Sequence, residues 1–556
     1  MKHTRHTHLL PLLSLVATLA GTAAHAQDKT AEIDKIFSWA TMETPGCVCA
    51  VSQNGKVIVN RAYGSADLER GAAITPNTVF DAGSVVKQFV AAATLVLVED
   101  GKLALTDDIR KYIPELPDYG HTITVDHLLT HTSGLRDWTG IRMLSDRDDD
   151  ALTMILRQRE LNFEPGTEWS YSNSGFVLMK EIVARVSGVT FGEFAQQRLF
   201  EPLGMKSSRY SHNMREVVKN RALAYQKEGD SWKLATMYDN DRGGGGGLLT
   251  TASDLLIWND ALTNRKLGTF VSEKILEPAV LKNGRKLTYA RGLILDNDHG
   301  SRAVWHSGSA DGYKTVLGRF PDIGLSLAIL CNAGDEIDRR NLEVPVLDLF
   351  VPADEAKAND TPAAAAAEGV DPATLDLNSR MGLFFNERTG SSLRLAVDDG
   401  RLRVAGGPAL MATSPSDFKR VGNVLMFMSG DEFEVHFVSA DAFDLKSMEG
   451  ETTRYRRAQP YVPTPADLKA FAGRYENDEL MSVVNLEAGE RGLVGWLEHL
   501  PERRLELAPV DRDTFQRGNL TLRFHRDKTG KVVSLGLTNP VFRNVTYTPS
   551  SDRASR

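Results

Sequence analysis

The sequence predicts an α+β domain followed by an all-β half, and three features carry that expectation. Strand-like runs stand at both ends of the first part, a hairpin at residues 46–63 and then Ala303–Trp305, Lys314–Phe320 and Leu325–Cys331. Between them the texture is helical from Ser84 to about residue 265. Strands flanking a helical middle describe one α+β unit whose sheet draws on both chain ends. After residue 373 short alternating strands follow one another to the end.

The chain has 556 residues, enough for several domains, and a net charge of −8 with no basic patch of the kind a nucleic-acid surface needs. Residues 1–26 carry a basic head at Lys2 and Arg5, an apolar segment from Leu9 to Ala20, and Ala24-His25-Ala26 before Gln27. That is the pattern of a secretory signal peptide. No cysteine follows the cleavage site, so a lipid anchor is not indicated, and no later segment is long and apolar enough to span a bilayer. The mature chain is therefore expected in the periplasm or outside the cell, without stable membrane insertion; its oligomeric state is open. Cys47 and Cys49 are two apart in a strand and face one side. They read as small buried residues of a sheet, with a bridge to Cys331 open if the two strands are neighbours.

Each element has a local reason. Asn54-Gly55 is a strong hairpin signal. From Ser84 the chain runs to Val98 without Gly or Pro, and later helices break at Pro114, Pro117, Pro165 and Pro202. A helix is expected over Phe176–Ser187, and another after the run Gly243 to Gly247, capped by Thr251 or Ser253. The glycine run lacks the Lys-Ser/Thr pair of a phosphate loop, so it is expected to let backbone pass close to another element. A helix around Asn341–Val351 closes the α+β domain, 27–352, and an Ala-, Asp- and Pro-rich linker spans 353–373. Met381-Gly382-Leu383-Phe384-Phe385-Asn386 and Ala472-Gly473-Arg474-Tyr475-Glu476-Asn477 begin two similar stretches. They predict a tandem pair of small antiparallel β-barrels or half-barrels, 374–460 and 461–550, with one larger barrel as the alternative.

Chemistry concentrates in three places. Ser84 and Lys87 are three apart at the start of an apolar helical run and share a face. Desolvation disfavours the charged form of such a lysine, and a neutral amine can take the proton of a neighbouring hydroxyl. A second Ser-x-x-Lys, Ser416 to Lys419, sits in a strand-like region without a helical run and reads as chance. Tyr171 and Asn173 lie in the loop Trp169 to Gly175, where a tyrosine can shuttle protons and an asparagine offers donor and acceptor. His306, Gly308 and Ser309 lie at a strand end whose glycine admits close backbone approach. His127 and His131 are four apart, but no third ligand or His-Glu-x-x-His companion is present, so they read as structural and no metal is expected.

In this order, Ser84–Lys87, Tyr171–Asn173 and His306–Gly308 resemble the three motifs of the β-lactamase and penicillin-binding-protein superfamily, in its class C-like branch. The resemblance runs from the mature N-terminus to about residue 350. The segment His127 to Leu135 and the glycine run also look like that branch. It implies a β-lactamase/transpeptidase-like fold, a helical domain against an antiparallel sheet with the site between them. Its first strand lies beside its last, which would put Cys47 or Cys49 near Cys331. It implies Ser84 as nucleophile, Lys87 and Tyr171 in proton transfer, Asn173 and His306 on the substrate, and backbone N–H groups of Ser84 and Ser309 as the oxyanion hole, with no cofactor. Where typical class C enzymes carry lysine, this chain has His306, as in some D-alanyl-D-alanine carboxypeptidases and D-aminopeptidases. D-stereospecific aminopeptidases of this superfamily also append two β-barrels. The expected activity is acyl-enzyme hydrolysis of small peptides or amides containing D-amino acids. A carboxylesterase, a β-lactamase and a non-catalytic peptidoglycan-binding protein are the alternatives; no Gly-x-Ser-x-Gly supports an α/β-hydrolase.

Overall fold

The computed structural model describes residues 29–213, 215–235, 247–298, 301–334, 340–351, 375–405, 409–421, 432–447, 452–459 and 461–550. The expected signal peptide, the 353–373 linker and Gly243 to Gly246 lie outside the described residues.

Strands β1 (Cys47–Gln53) and β2 (Lys56–Tyr63) form the expected hairpin, turning through Asn54 at φ 50° and Gly55 at φ 76°. Two successive positive φ values are what a two-residue turn matching strand twist requires. The later strands are β3 (Ile294–Asp298), β4 (Ser301–Ala310), β5 (Tyr313–Phe320) and β6 (Leu325–Cys331). They complete an antiparallel sheet in the order β3-β4-β5-β6-β1-β2, so the first strand does lie beside the last. Cys47 faces Cys331 in the β1–β6 register and the two form a disulfide. Cys49 stays a buried free thiol, its ionisation pushed up to about 12 by burial.

Strand alternation assigns β1 to two cores. Val48 and Ala50 join the helical side, while Cys47, Cys49 and Val51 pack with Ile33, Phe37, Val346 and Leu347 on the other. On the helical side, α1 (Val86–Glu99) is buried from Val86 to Leu97, as its apolar run requires. Helices α2 (Asn173–Ser187) and α3 (Ala252–Thr263) flank it, and Phe89 of α1 stacks on Trp258 of α3 with centroids 3.9 Å apart. Thr251 caps α3 by accepting from the Asp254 N–H. The closing helix, α4 (Arg340–Asp348), covers the opposite face of the sheet.

The middle of this unit departs from the expected helical texture. Tyr225–Glu228 and Ser231–Leu234 form a hairpin, and Phe80–Asp81, Leu248–Thr250 and Arg209–Tyr210 form a small sheet. The three strands of that small sheet are held by partners far away in sequence, which local periodicity cannot register. Gly247, last of the glycine run, passes against this sheet: a Cβ there would lie 2.7 Å from the Ser211 carbonyl oxygen.

The C-terminal half is all β. Eight strands from Gly382–Phe385 to Thr452–Arg457 form one meander, nearly closed by a bridge from Arg403 to Ala409. Eight more, from Gly473–Asn477 to Val545–Pro549, form a closed barrel. The two share a detail. Asn386 Nδ2 donates to the Arg454 carbonyl while its Oδ1 accepts the Thr389 N–H; Asn477 does the same with Thr546 and Leu480. Each asparagine thus ties a first strand to the last one of its unit, as a tandem duplication would leave it.

The closed barrel is bolted to the helical side. Arg136, with no exposed side-chain surface, donates to Glu479 at 3.0 Å, Glu160 at 3.1 Å and the Asn544 carbonyl at 3.2 Å. The Asp137 N–H donates to the Val541 carbonyl, and Arg543 pairs with Glu168 at 3.0 Å. Removing one partner of a buried ion pair leaves the other charge uncompensated and costs about 3–5 kcal/mol. Arg136→Met is therefore expected to lower the denaturant midpoint followed by tryptophan fluorescence, whereas Lys446→Met, at an exposed pair with Glu434, is expected to leave it nearly unchanged.

Candidate active site

The Ser84 turn is shaped by its neighbours. Gly83 adopts φ 53°, and its N–H donates to Asp81 Oδ1 at 2.8 Å. Asp81 is buried, and loss of solvent raises its carboxyl to about 6. Gly83–Val85 is a 3-10 turn that leads directly into α1, so Lys87 follows Ser84 one turn later on the same side.

The Lys87 amine lies 2.9 Å from Ser84 Oγ and donates to Asn173 Oδ1 at 2.8 Å. The Tyr171 hydroxyl donates to Ser84 Oγ at 2.8 Å. Lys87 is fully buried, and desolvation brings its amine down to about 7, opposed by Asp137 and aided by Lys180. Burial shifts Tyr171 the other way, well above its ordinary value, so it remains a phenol. A hydroxyl is thus held between a group that can accept a proton near neutrality and one that holds its own. Two titratable groups pushed apart in this way divide acid and base roles.

The sheet supplies the opposite wall. A Cβ on Gly308 would lie 1.9 Å from the Ala82 carbonyl oxygen, and one on Gly83 would lie 2.6 Å from the Ser309 nitrogen. Only glycine at both positions lets β4 run against the Ser84 turn, bringing the Ser84 and Ser309 backbones side by side. Ser309 Oγ accepts from Lys314 Nζ at 2.9 Å. His306 shares the Gly308 side of β4, two residues away, and its ring centroid is 6.5 Å from that of Tyr171. Ser84, Lys87, Tyr171, Asn173, His306, Gly308 and Ser309 therefore meet at one place. Ser416 and Lys419 are elsewhere, Ser416 in the turn before a barrel strand and Lys419 within that strand.

Three further residues belong to this place without having been singled out for it. Asp137 Oδ2 accepts from both the backbone N–H and the Nδ2 of Asn173, the latter at 3.0 Å. Asn173 therefore starts α2 with its first N–H satisfied by a distant carboxylate, which is why the helix begins three residues before the expected Phe176. With Nδ2 on Asp137, its Oδ1 is fixed toward Lys87. His131, read from spacing as structural, accepts the Ser172 N–H at Nδ1 and meets the Tyr289 hydroxyl at Nε2; Tyr289 in turn meets His306. His127 instead caps a short helix by accepting the Thr124 N–H. Among the described residues no group of three or more His, Cys, Asp or Glu is placed to hold a metal.

A family model described as Beta-lactamase matches residues 38–349. Penicillin-binding protein 4* of Bacillus subtilis is 28% identical over 308 residues, 52% of this chain and 68% of its own length. The D-aminopeptidase of Brucella canis is 24% identical over 537 residues, 90% of this chain and 95% of its own. Among solved structures, the octameric penicillin-binding protein homologue from Pyrococcus abyssi superposes with a TM-score of 0.51 at 22% identity, over 78% of this chain and 99% of its own. At that identity the likeness shows the fold alone.

Proposed function

Because this chain belongs to the Beta-lactamase family and is a serine hydrolase, we propose that it cleaves small amides or peptides of D-amino acids through an acyl-enzyme on Ser84. The observation that carries the chemistry is Ser84 Oγ between the Lys87 amine and the Tyr171 hydroxyl, at 2.9 and 2.8 Å. The substrate class is supported by D-aminopeptidases, one of which aligns over 90% of this chain and 95% of its own length.

The neutral Lys87 amine takes the Ser84 proton as Oγ bonds to the substrate carbonyl carbon. The carbonyl oxygen becomes an oxyanion beside the Ser84 and Ser309 N–H groups, each such donor contributing about 3 kcal/mol. Tyr171 gives its proton to the leaving nitrogen as the C–N bond breaks, and Lys87 returns a proton to Tyr171. Water then attacks the ester, loses its proton to the same pair, and Ser84 leaves with one. The sum is amide plus water to acid plus amine. Asn173, anchored by Asp137, keeps the amine aimed at Ser84.

We also place the mature protein outside the cytoplasm. The signal-peptide pattern of residues 1–26 and the Cys47–Cys331 disulfide both favour an exporting, oxidising route. Among the described residues no helix is long and apolar enough to cross a membrane.

The test is a substrate panel of D- and L-alanine p-nitroanilide, a D-Ala-D-Ala peptide, p-nitrophenyl acetate and nitrocefin. The highest kcat/KM among the amides is expected for the D-anilide, with the L-anilide at least about tenfold lower, a difference of some 1.4 kcal/mol at the transition state. Fast ester turnover with no D-over-L preference would make it a carboxylesterase instead.

A further inference from the structure

Tyr289 stands between the two walls of the cleft. Its hydroxyl lies 3.1 Å from His131 Nε2 and 3.1 Å from His306 Nε2, and the side chain is 3% exposed. The tautomers along this line follow from one donor that cannot be reversed. The Ser172 backbone N–H donates to His131 Nδ1 at 3.0 Å, so that nitrogen carries no proton. His131 is then protonated at Nε2, which donates to the Tyr289 oxygen. The Tyr289 proton must therefore point to His306 Nε2. At its other end, His306 Nδ1 lies 2.6 Å from the Ser307 carbonyl, an acceptor only, and so carries the ring proton. The whole line is satisfied, runs in one direction and holds no net charge. Burial supports each state: it lowers His131 well below its ordinary range and raises Tyr289 well above its own.

We propose that Tyr289 is a specificity-determining positioning residue, whose hydroxyl occupies His306 Nε2 and so denies a cation to the wall that meets the Ser84 turn. This rests on the acyl-enzyme reading of Ser84. His306 is on the side of β4 that meets the Ser84 turn, so a proton on its Nε2 would put positive charge beside the leaving group. With Tyr289 donating into that nitrogen, the second proton has no place. Repelling or failing to hold an anion is a means of selecting neutral ligands. The substrates favoured are amides with no carboxylate next to the scissile bond, and those disfavoured carry one there, as β-lactams do. Among the described residues, Tyr289 and, behind it, His131 face His306, with Tyr171 from the loop before α2 and, beyond His131, Lys87 of α1. When Lys87 is protonated, below about 7, its charge too disfavours a second one at His306.

Tyr289→Phe keeps the ring and removes the hydroxyl, freeing His306 Nε2 to take a proton in acid. The readout is the ratio of nitrocefin acylation to D-alanine p-nitroanilide turnover at pH 5.5 and pH 8. Relative to wild type, this ratio is expected to rise about tenfold at pH 5.5 and to change little at pH 8, a tenfold change being one pKa unit. Adding His306→Gln, which cannot take up a proton, is expected to abolish the rise. A ratio that shifts equally at both pH values, or persists in the double variant, overturns the proposal. Labelling by a serine-directed fluorophosphonate at pH 8 separates the two layers: its absence in wild type strikes at Ser84, while labelling with an unchanged ratio strikes only at Tyr289. Should Tyr289→Phe not fold, nitrogen-15 histidine spectra of the wild type decide. His306 is expected as the Nδ1–H tautomer from pH 5 to 8, and an imidazolium or Nε2–H ring in that range refutes it.

Discussion

Ser84→Ala is expected to lower hydrolysis of the best substrate by about 10⁴–10⁶-fold and to abolish fluorophosphonate labelling, with the fold intact. The size follows from losing the proposed nucleophile in a site whose parts act as a unit, leaving only binding and oxyanion stabilisation. The fold should tolerate the change because Ser84 is small and its partners do not depend on it alone. Lys87 keeps its bond to Asn173 Oδ1, so the amine stays anchored when the serine hydroxyl is gone. Unchanged thermal unfolding together with lost turnover is the combination to look for. Retained labelling in this variant would move the nucleophile to another serine.

The second large effect concerns the amine. Lys87→Arg keeps positive charge and a hydrogen-bonding head at the position but cannot lose its proton in a protein. It is expected to lose about 10²–10⁴-fold in acylation, the span of general base catalysis, at every pH up to 9. In the wild type the sign is set by the amine brought down to about 7. Below that value Lys87 is protonated and cannot accept from Ser84, so single-turnover acylation should fall as pH falls through 7. Above it, the rate should level off, because Tyr171 stays a phenol well past the ordinary tyrosine value. A falling limb between pH 8 and 9 would mean that Tyr171 ionises earlier than its burial allows.

What could be read from the chain is what depends on local rules. Asn54-Gly55 declares its turn because those residues accept positive φ, and α1 declares itself through an uninterrupted apolar run. Ser84 and Lys87 share a helix face, and Tyr171–Asn173 and His306–Gly308 form compact groups whose order was recognisable. The unreadable part is contact between distant positions. Cys47 and Cys49 are equivalent by alternation, and only the β1–β6 register decides that Cys47 meets Cys331. Leu248–Thr250 became a strand because Phe80–Asp81 and Arg209–Tyr210 came to lie beside it. Asp137, Tyr289 and Glu479 are single residues with no spacing to mark them. Their roles arise once the fold brings Asn173, His306 and Arg136 within reach. The barrel contact is the clearest instance, since Glu479 lies 343 residues from the arginine it neutralises.

The central claim is an uncharged amine within reach of the Ser84 hydroxyl at physiological pH. It is tested most directly by titrating the Lys87 side chain in protein labelled with carbon-13 at lysine Cε, its signal identified by its loss in Lys87→Arg. The amine placed by this structure should titrate with a midpoint near 7, well apart from the surface lysines. A Lys87 signal that stays in the ammonium form through pH 9 would contradict it.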